Sequence, residues 1–157
     1  MIVPDVNLLV YAHDSTSRHH ADARAWWDET LRSQVPVGLA WVAVLGFLRV
    51  TTNARVFENP TPVRDATGVV RSWLAQPATQ VLTPGERHSE ILFGLLEELG
   101  TAGNLTTDAH LAALAIEYGA EIATNDTDFA RFPGLRWFNP LKKPRVSSRP
   151  ASHRRSI

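Results

Sequence analysis

The amino-acid sequence predicts an α/β fold with a central, mainly parallel sheet covered by helices on both faces. Short apolar runs of strand character alternate along the chain with longer segments whose apolar residues have helical spacing, and this order is typical of parallel sheets. The chain has 157 residues, of which 44% are hydrophobic and 20% charged. That length and composition suit one globular domain with a substantial core.

Five short apolar runs are predicted to be strands, at residues 2–3, 35–39, 80–82, 121–124 and 135–138. The first run meets Pro4, which removes a backbone donor and is disfavoured in the central strands of a sheet. The apolar sequence continues through residues 8–12, for which the pattern alone assigns no element.

The helices are predicted at residues 19–31, 41–50, 61–75, 87–99 and 108–118. Residues 41–50 are apolar nearly all round, so this helix is expected to be buried. Thr61 and Thr107 are residues of the type that caps helix N-termini. Gly100 and Gly119 follow the last two helices, as glycines commonly do at helix ends.

The composition excludes several classes of protein. The chain contains no cysteine, which rules out disulfides, thiolate catalysis and cysteine-bound metals and is compatible with a reducing cytoplasm. The first residues reach an acid at Asp5 without a basic segment, so we expect no signal peptide. No run of about 18 apolar residues is present, so we expect no membrane span.

The net charge of zero conceals an asymmetry along the chain. Residues 1–141 carry all 16 acids but 10 of the 16 lysines and arginines, a net charge of −6, while residues 142–157 carry the other six cations. We therefore predict a domain at 1–141 followed by a basic, disordered tail at 142–157. The tail either contacts nucleic-acid phosphates or is solvated without a role.

Acidic residues follow two of the predicted strands. Asp5 follows the first strand and Asp126 follows the strand at 121–124, while Asp108 lies in the first turn of its helix. Ligands of parallel α/β sheets bind outside the carboxyl ends of the strands. We therefore expect these three carboxylates to meet at one edge of the sheet.

Clustered carboxylates require a counter-charge. Two unit charges 4 Å apart repel by roughly 4 kcal/mol at an effective dielectric near 20, and a divalent cation removes that cost while activating water for phosphodiester hydrolysis. Three of the four acids also have an ordinary structural explanation when each is taken alone. Asp108 suits a helix N-terminus, and Asp126 and Asp128 suit a turn, whereas an acid directly after a buried strand, as at Asp5, has no such explanation.

Three segments together resemble the acidic motifs of PIN domains, namely residues 3–12, 107–115 and 123–129. Residues 47–52 and 132–135 resemble, in more detail, the VapC toxins of bacterial toxin–antitoxin pairs, particularly those of actinobacteria. The resemblance extends from residue 1 to about residue 141. It implies a three-layer α/β/α domain.

The resemblance also implies a function and a set of site residues. The function is that of an endoribonuclease dependent on Mg²⁺ or Mn²⁺, inhibited by a small VapB-type antitoxin and usually a homodimer. Asp5 and Asp108 would be the principal metal ligands. Asp126 would complete the cluster, directly or through water, and Asp128 would support it.

Further residues are expected to assist the acids. Asn7 and Thr124 would orient the metal ligands or the phosphate. Arg49 would either face the RNA or interact with the C-terminal dipole of its own helix. The helices at 41–50 and 61–75 would form the groove that receives an antitoxin helix.

One departure from the PIN pattern bears on activity. PIN domains commonly have a glutamate just before the Phe-Leu-Arg segment, and Gly46 stands there in this chain. This leaves open a degenerate PIN-like module that binds RNA or a partner without cleavage. A phosphatase or phospho-accepting domain is disfavoured, because those enzymes use a lysine near the phosphate and the only lysines are Lys142 and Lys143.

Overall fold

The computed structural model describes residues 1–142 and contains one five-stranded sheet. Every neighbouring pair of strands is parallel, and the order across the sheet is β3-β2-β1-β4-β5. The strands are β1 (Ile2–Pro4), β2 (Val37–Ala40), β3 (Thr79–Leu82), β4 (Glu121–Ala123) and β5 (Arg136–Phe138). All five predicted strands are confirmed.

Six α-helices cover both faces of the sheet within these residues. They are α1 (Val6–His13), α2 (His20–Arg32), α3 (Trp41–Thr51), α4 (Val63–Leu74), α5 (His88–Leu99) and α6 (Thr106–Glu117). One core cluster joins α1–α4 to the inward side chains of β2. A second cluster joins α5 and α6 to the opposite face of the sheet. The predicted α/β/α layering is therefore confirmed.

Proline at the end of the central strand is accommodated by asymmetric pairing. The pairing of β1 with β4 extends from Ile2 to Pro4, whereas its pairing with β2 is recorded at Ile2 alone. The Asp5 N–H then donates to the carbonyl of Ala123 on β4 at 2.9 Å. Because Pro4 has no N–H to donate, β1 separates from β2 while it remains bonded to β4.

Helix α1 has no counterpart among the predicted elements. It begins directly after Asp5, whose side chain accepts a hydrogen bond from the Val6 N–H and caps the helix. Two other expected caps are wrong. Thr61 lies before Pro62, which precedes α4 and provides no side-chain cap, and Thr107 lies inside α6, which begins at Thr106.

Helix α3 is buried on one side only, contrary to the prediction from its apolar sequence. Phe47 is fully buried, whereas Trp41 and Leu45 are 51% and 59% exposed. The exposed pair lies four residues apart and so shares one face of the helix. A helix that is apolar all round can therefore leave an apolar face outside the core of its own chain.

The predicted basic tail at 142–157 lies outside the described residues apart from Lys142. Within residues 1–142, no helix is both long and apolar enough to cross a membrane.

The strand order places a topological switch at the centre of the sheet. The chain proceeds from β1 outward through β2 and β3, and then returns to the other side of β1 with β4 and β5. In open parallel sheets, ligands bind at the carboxyl ends of the strands where the order reverses. Asp5 and Thr124 each follow one of the two strands at this switch.

The aromatic core between α3 and α4 provides a test of this fold. The Phe47 ring lies 4.8 Å from the ring of Trp73 and 5.4 Å from that of His13. We expect Phe47→Ala to lower the free energy of unfolding by about 3–5 kcal/mol because it leaves a cavity. Urea unfolding measures this loss. Phe93→Ala provides the control, since Phe93 is 58% exposed on α5 and its loss should cost no more than about 0.5 kcal/mol.

Candidate metal centre

Asp5 occupies the junction of β1 and α1, where both carboxylate oxygens are held in place. The side chain is 5% exposed. Its Oδ1 accepts a hydrogen bond from the Val6 N–H at 2.7 Å, and its Oδ2 accepts bonds from Asn7 Nδ2 and Thr124 Oγ1, each at 2.7 Å. Burial raises the pKa of the Asp5 carboxyl, while the bonds from Thr124 and Val6 act in the opposite direction.

Thr124 links the first acidic segment to the last. Its buried hydroxyl donates to Asp5 and accepts from Asn7 Nδ2 at 3.1 Å and from the Asp126 N–H at 2.9 Å. The hydroxyl thereby uses its single donor and both acceptor positions. Asn7 and Thr124 therefore orient the Asp5 carboxylate, in the arrangement that the resemblance implies.

Asn125 also contributes to this network, although the sequence did not single it out. Its N–H donates to Asn7 Oδ1 at 3.3 Å, and its side-chain oxygen accepts a bond from Asn139 Nδ2 at 2.8 Å. Asn139 follows β5, so the network spans the ends of three adjacent strands, β1, β4 and β5. The sequence does contain a pattern that could have predicted this network, since a polar residue follows each of these three strands.

Asp108 faces Asp5 across a cavity of about 220 Å³. It lies in the first turn of α6. Burial raises the pKa of Asp108 to about 6, and the negative charges of Asp5, Asp126 and Asp128 contribute in the same direction. The other three predicted acids are thus near enough to repel Asp108.

Asp126 and Asp128 are not part of the lining of this cavity. Asp126 Oδ1 accepts a hydrogen bond from the Asp128 N–H at 2.8 Å and caps the 3₁₀ helix Thr127–Arg131. In the part of the chain that the structure describes, no three His, Asp or Glu side chains converge closely enough to hold a metal ion. The predicted three-aspartate cluster is therefore not preformed, and Asp5 and Asp108 remain as the pair on a shared cavity.

Helix α3 provides the opposite wall of the cavity. Gly46 and Arg49 line it together with Val42 and Leu45, and Thr107 contributes from α6. The position where PIN domains commonly have a glutamate thus faces the acid pair, but as a glycine it contributes no ligand. Thr107 belongs to the cavity rather than to a helix cap.

The donor set fits a hard divalent cation. The polar side chains of Asp5, Asp108 and Thr107 provide only oxygen ligands. Mg²⁺ commonly binds through one or two carboxylates and keeps several waters, so a pair of aspartates is sufficient. The mutual repulsion that raises the pKa of Asp108 would be relieved by such a charge.

Comparison with known proteins agrees with this fold. The PIN domain family matches residues 2–135. Ribonuclease VapC33 of Mycobacterium tuberculosis is 51% identical over 143 residues, which cover 91% of this chain and all of that protein. Ribonuclease VapC37 of the same species is 44% identical over 140 residues, covering 89% of this chain and 97% of that protein.

Solved structures show the same architecture at low sequence identity. VapC20 of M. tuberculosis, described as a sarcin–ricin loop cleaving toxin, superposes with a TM-score of 0.64 at 16% identity, covering 87% of this chain and 99% of that chain. A chain of the DNA-bound VapBC2 complex of Rickettsia felis also superposes with a TM-score of 0.64. It is 19% identical, and the match covers 88% of this chain and 98% of that chain.

These findings define the chain as a PIN domain, built around an acid-lined cavity at the sheet switch point. Within that class it belongs to the family of VapC ribonucleases. The enzyme class predicted from the sequence, a ribonuclease, is confirmed at the level of the family.

The electrostatics of Asp108 lead to a prediction about stability. Because its pKa is about 6 in the folded chain against an ordinary 3.8, the ionised carboxylate destabilises the metal-free fold above pH 6, and this penalty disappears as the pH falls towards 3.8. In EDTA at pH 7.5 we expect Asp108→Asn to raise the free energy of unfolding by about 1–2 kcal/mol, and by less at pH 4.5. Urea unfolding at the two pH values measures both.

Asp65→Asn is the matched control, since Asp65 also lies in the first turn of a helix. Loss of a favourable helix-dipole interaction should lower the stability of this variant by about 0.3–1 kcal/mol. If Asp108→Asn were likewise destabilising, Asp108 would be an ordinary first-turn acid, and the electrostatic description of the cavity would be wrong.

Proposed function

We propose that this protein is a Mg²⁺- or Mn²⁺-dependent endoribonuclease that acts on RNA in the cytoplasm as the toxin of a VapBC-type pair. The observation that carries the proposal is the placement of Asp5 and Asp108 on one cavity, where burial and neighbouring acids raise the pKa of Asp108 to about 6. Such perturbed acids in a cleft are typical of functional sites. The family membership directs the choice of substrate to RNA.

Asp5 and Asp108 would hold the cation, with Asp126 and Asp128 acting through water. An ion held there would activate water at neutral pH and would stabilise negative charge on the phosphate. Thr124 and Asn7 hold Asp5 Oδ2 through hydrogen bonds of 2.7 Å, so the carboxylate is oriented before any ligand arrives. Asp5 Oδ1 accepts a hydrogen bond from the Val6 N–H, which holds the same carboxylate at the N-terminus of α1.

The alternative is a PIN-like module that binds RNA or a partner without cleavage. The glycine at position 46 is the observation that favours it, since this wall of the cavity provides no acid. The two proposals differ in one result, because only the first predicts metal-dependent cleavage of RNA, whereas the second predicts binding of RNA or of a partner alone.

Asp108→Asn is the decisive variant for cleavage. It removes a ligand while avoiding Asp5, whose substitution would also disturb the cap of α1. We expect wild type to cleave RNA with Mg²⁺, EDTA to abolish cleavage, and Asp108→Asn to reduce the rate by at least about 100-fold. Gel analysis of a structured RNA, together with the unfolding data above, measures both effects.

A variant that is more stable but inactive would identify Asp108 as a residue retained for function at the expense of stability. Asp65→Asn should cleave like wild type. RNA binding by the wild type without cleavage in either Mg²⁺ or Mn²⁺ would support the binding module and overturn the enzyme.

A VapB-type antitoxin is the proposed inhibitory partner. Some apolar side chains of α3 and α4 pack on each other in one core cluster, and the expected groove between these helices stays a prediction. A cavity of about 390 Å³ also lies among α1, α2 and α4, where Leu31 and Val69 provide apolar contacts and Arg32, together with Arg24 paired to Asp28, provides charge. This surface suits an amphipathic segment with acidic residues.

A homodimer is the other proposed assembly. Trp41 and Leu45 form an exposed apolar face on α3, and a second copy of the chain could cover it.

Ser72→Arg tests the antitoxin surface. Ser72 is exposed on α4 and lines this cavity, so an arginine there would obstruct it without disturbing the core. We expect the variant to arrest growth as wild type does, while co-expression of the cognate VapB-type antitoxin no longer relieves the arrest. Ser89→Arg is the control, since Ser89 is an exposed residue of α5. The antitoxin should relieve the growth arrest by this variant fully. Equal relief of both variants would place the antitoxin elsewhere.

A further inference from the structure

The cavity between Asp5 and Asp108 contains one feature that the metal does not explain. Arg49 lines it, and it is the only cationic side chain in the lining described. Arg49 is exposed in the last turn of α3. Within residues 1–142 it forms no ion pair and no side-chain hydrogen bond, although Asp5 and Asp108 line the same space.

Gly46 explains how α3 comes so close to Asp5. A Cβ atom at this position would lie 2.8 Å from Val6 Cγ2 and 3.4 Å from Val6 Cβ, so a larger residue would displace Val6. The atoms met are in the side chain of Val6, the residue whose N–H donates to Asp5 Oδ1. The glycine is thus a packing requirement between α3 and α1, and the site is built without an acid at position 46.

Residues 46 and 49 share one side of α3 because they are three positions apart. The close approach at Gly46 consequently brings the Arg49 guanidinium to the cavity. Two ionised aspartates and one divalent cation have no net charge, so an RNA phosphodiester would introduce an uncompensated negative charge. Asp126 and Asp128 nearby would increase the repulsion. An arginine supplies the missing positive charge, and its planar group matches phosphate oxygens.

We propose that Arg49 binds a phosphate of the RNA substrate from the α3 side of this cavity, opposite Asp5 and Asp108. The proposal rests on the proposed ribonuclease function for its substrate. It adds a substrate-binding residue to the site. Gly46 provides no acid that could hold a further cation, and Arg49 provides positive charge for the phosphate directly. The alternative for Arg49 is an interaction with the C-terminal dipole of α3, which would affect stability and not RNA.

Arg71→Gln is a close control for Arg49→Gln. Arg71 is likewise an exposed arginine in the last turn of its helix, α4, and it is absent from the lining of the acid cavity. Binding of a single-stranded RNA oligonucleotide is measured in EDTA at several salt concentrations. Cleavage in Mg²⁺ and urea unfolding are measured on the same full-length proteins.

Arg49→Gln should weaken RNA binding about 3- to 10-fold and lower the salt dependence of log K by about 0.7, the value for one phosphate contact on a single strand. Arg49→Lys should keep that salt dependence but cleave more slowly than wild type, because lysine lacks the bidentate geometry. Arg71→Gln should match wild type in both assays. Both glutamine variants remove a cation from the last turn of a helix, so we expect the two to lose the same small stability, about 0.3–1 kcal/mol, while Arg49→Lys keeps it.

Three results would overturn this role. Equal RNA binding by Arg49→Gln and Arg71→Gln, together with cleavage by wild type, would exclude Arg49 as a phosphate contact and leave the ribonuclease proposal intact. A loss of stability without a change in RNA binding would assign Arg49 to the helix dipole. A change in self-association alone, seen by sedimentation, would assign it to a protein interface. Salt-dependent binding through Arg49 without any cleavage would support Arg49 and overturn the ribonuclease.

Discussion

The buried hydrogen bond from Thr124 to Asp5 is the contact on which the site depends. It joins the carboxyl ends of β1 and β4, the two strands at the switch point of the sheet. The same hydroxyl accepts a hydrogen bond from the Asp126 N–H, so Thr124 connects the turn after β4 to the acid after β1. A buried carboxylate is expensive unless it is hydrogen-bonded, and Asp5 satisfies this condition with groups from two separate parts of the sequence.

The acid pair is a local exception to the packing that surrounds it. Two aromatic and aliphatic cores stabilise the sheet on its two faces, whereas Asp108 is held where its charge opposes folding. Proteins retain such groups where function requires them. The glycine at position 46 and the arginine at position 49 belong to the same compromise, because one permits α3 to approach and the other offsets the negative charge.

The strands were predictable from the sequence, and so was the meeting of Asp5 and Asp108 at one cavity, because Asp5 follows an apolar run and Asp108 lies in the first turn of a helix. Helix α1 was not, since its short apolar segment has the pattern of neither element and depends on the Asp5 cap. The exposed face of α3 was not predictable, because Trp41 and Leu45 are apolar residues of the type that usually lies in a core. The separation of Asp126 from the acid pair, and the contact of Gly46 with Val6, depend on tertiary distances that no local pattern contains.

The central claim is that Asp5 and Asp108 together hold one divalent cation beside the switch point of the sheet. A crystal of the protein soaked in Mn²⁺ tests it most directly through anomalous scattering. We expect a single strong peak within bonding distance of both carboxylates, with any contribution from Asp126 made through water. An absence of metal between the two carboxylates at saturating Mn²⁺, or a peak bound elsewhere in its place, would show that Asp5 and Asp108 do not form a metal site.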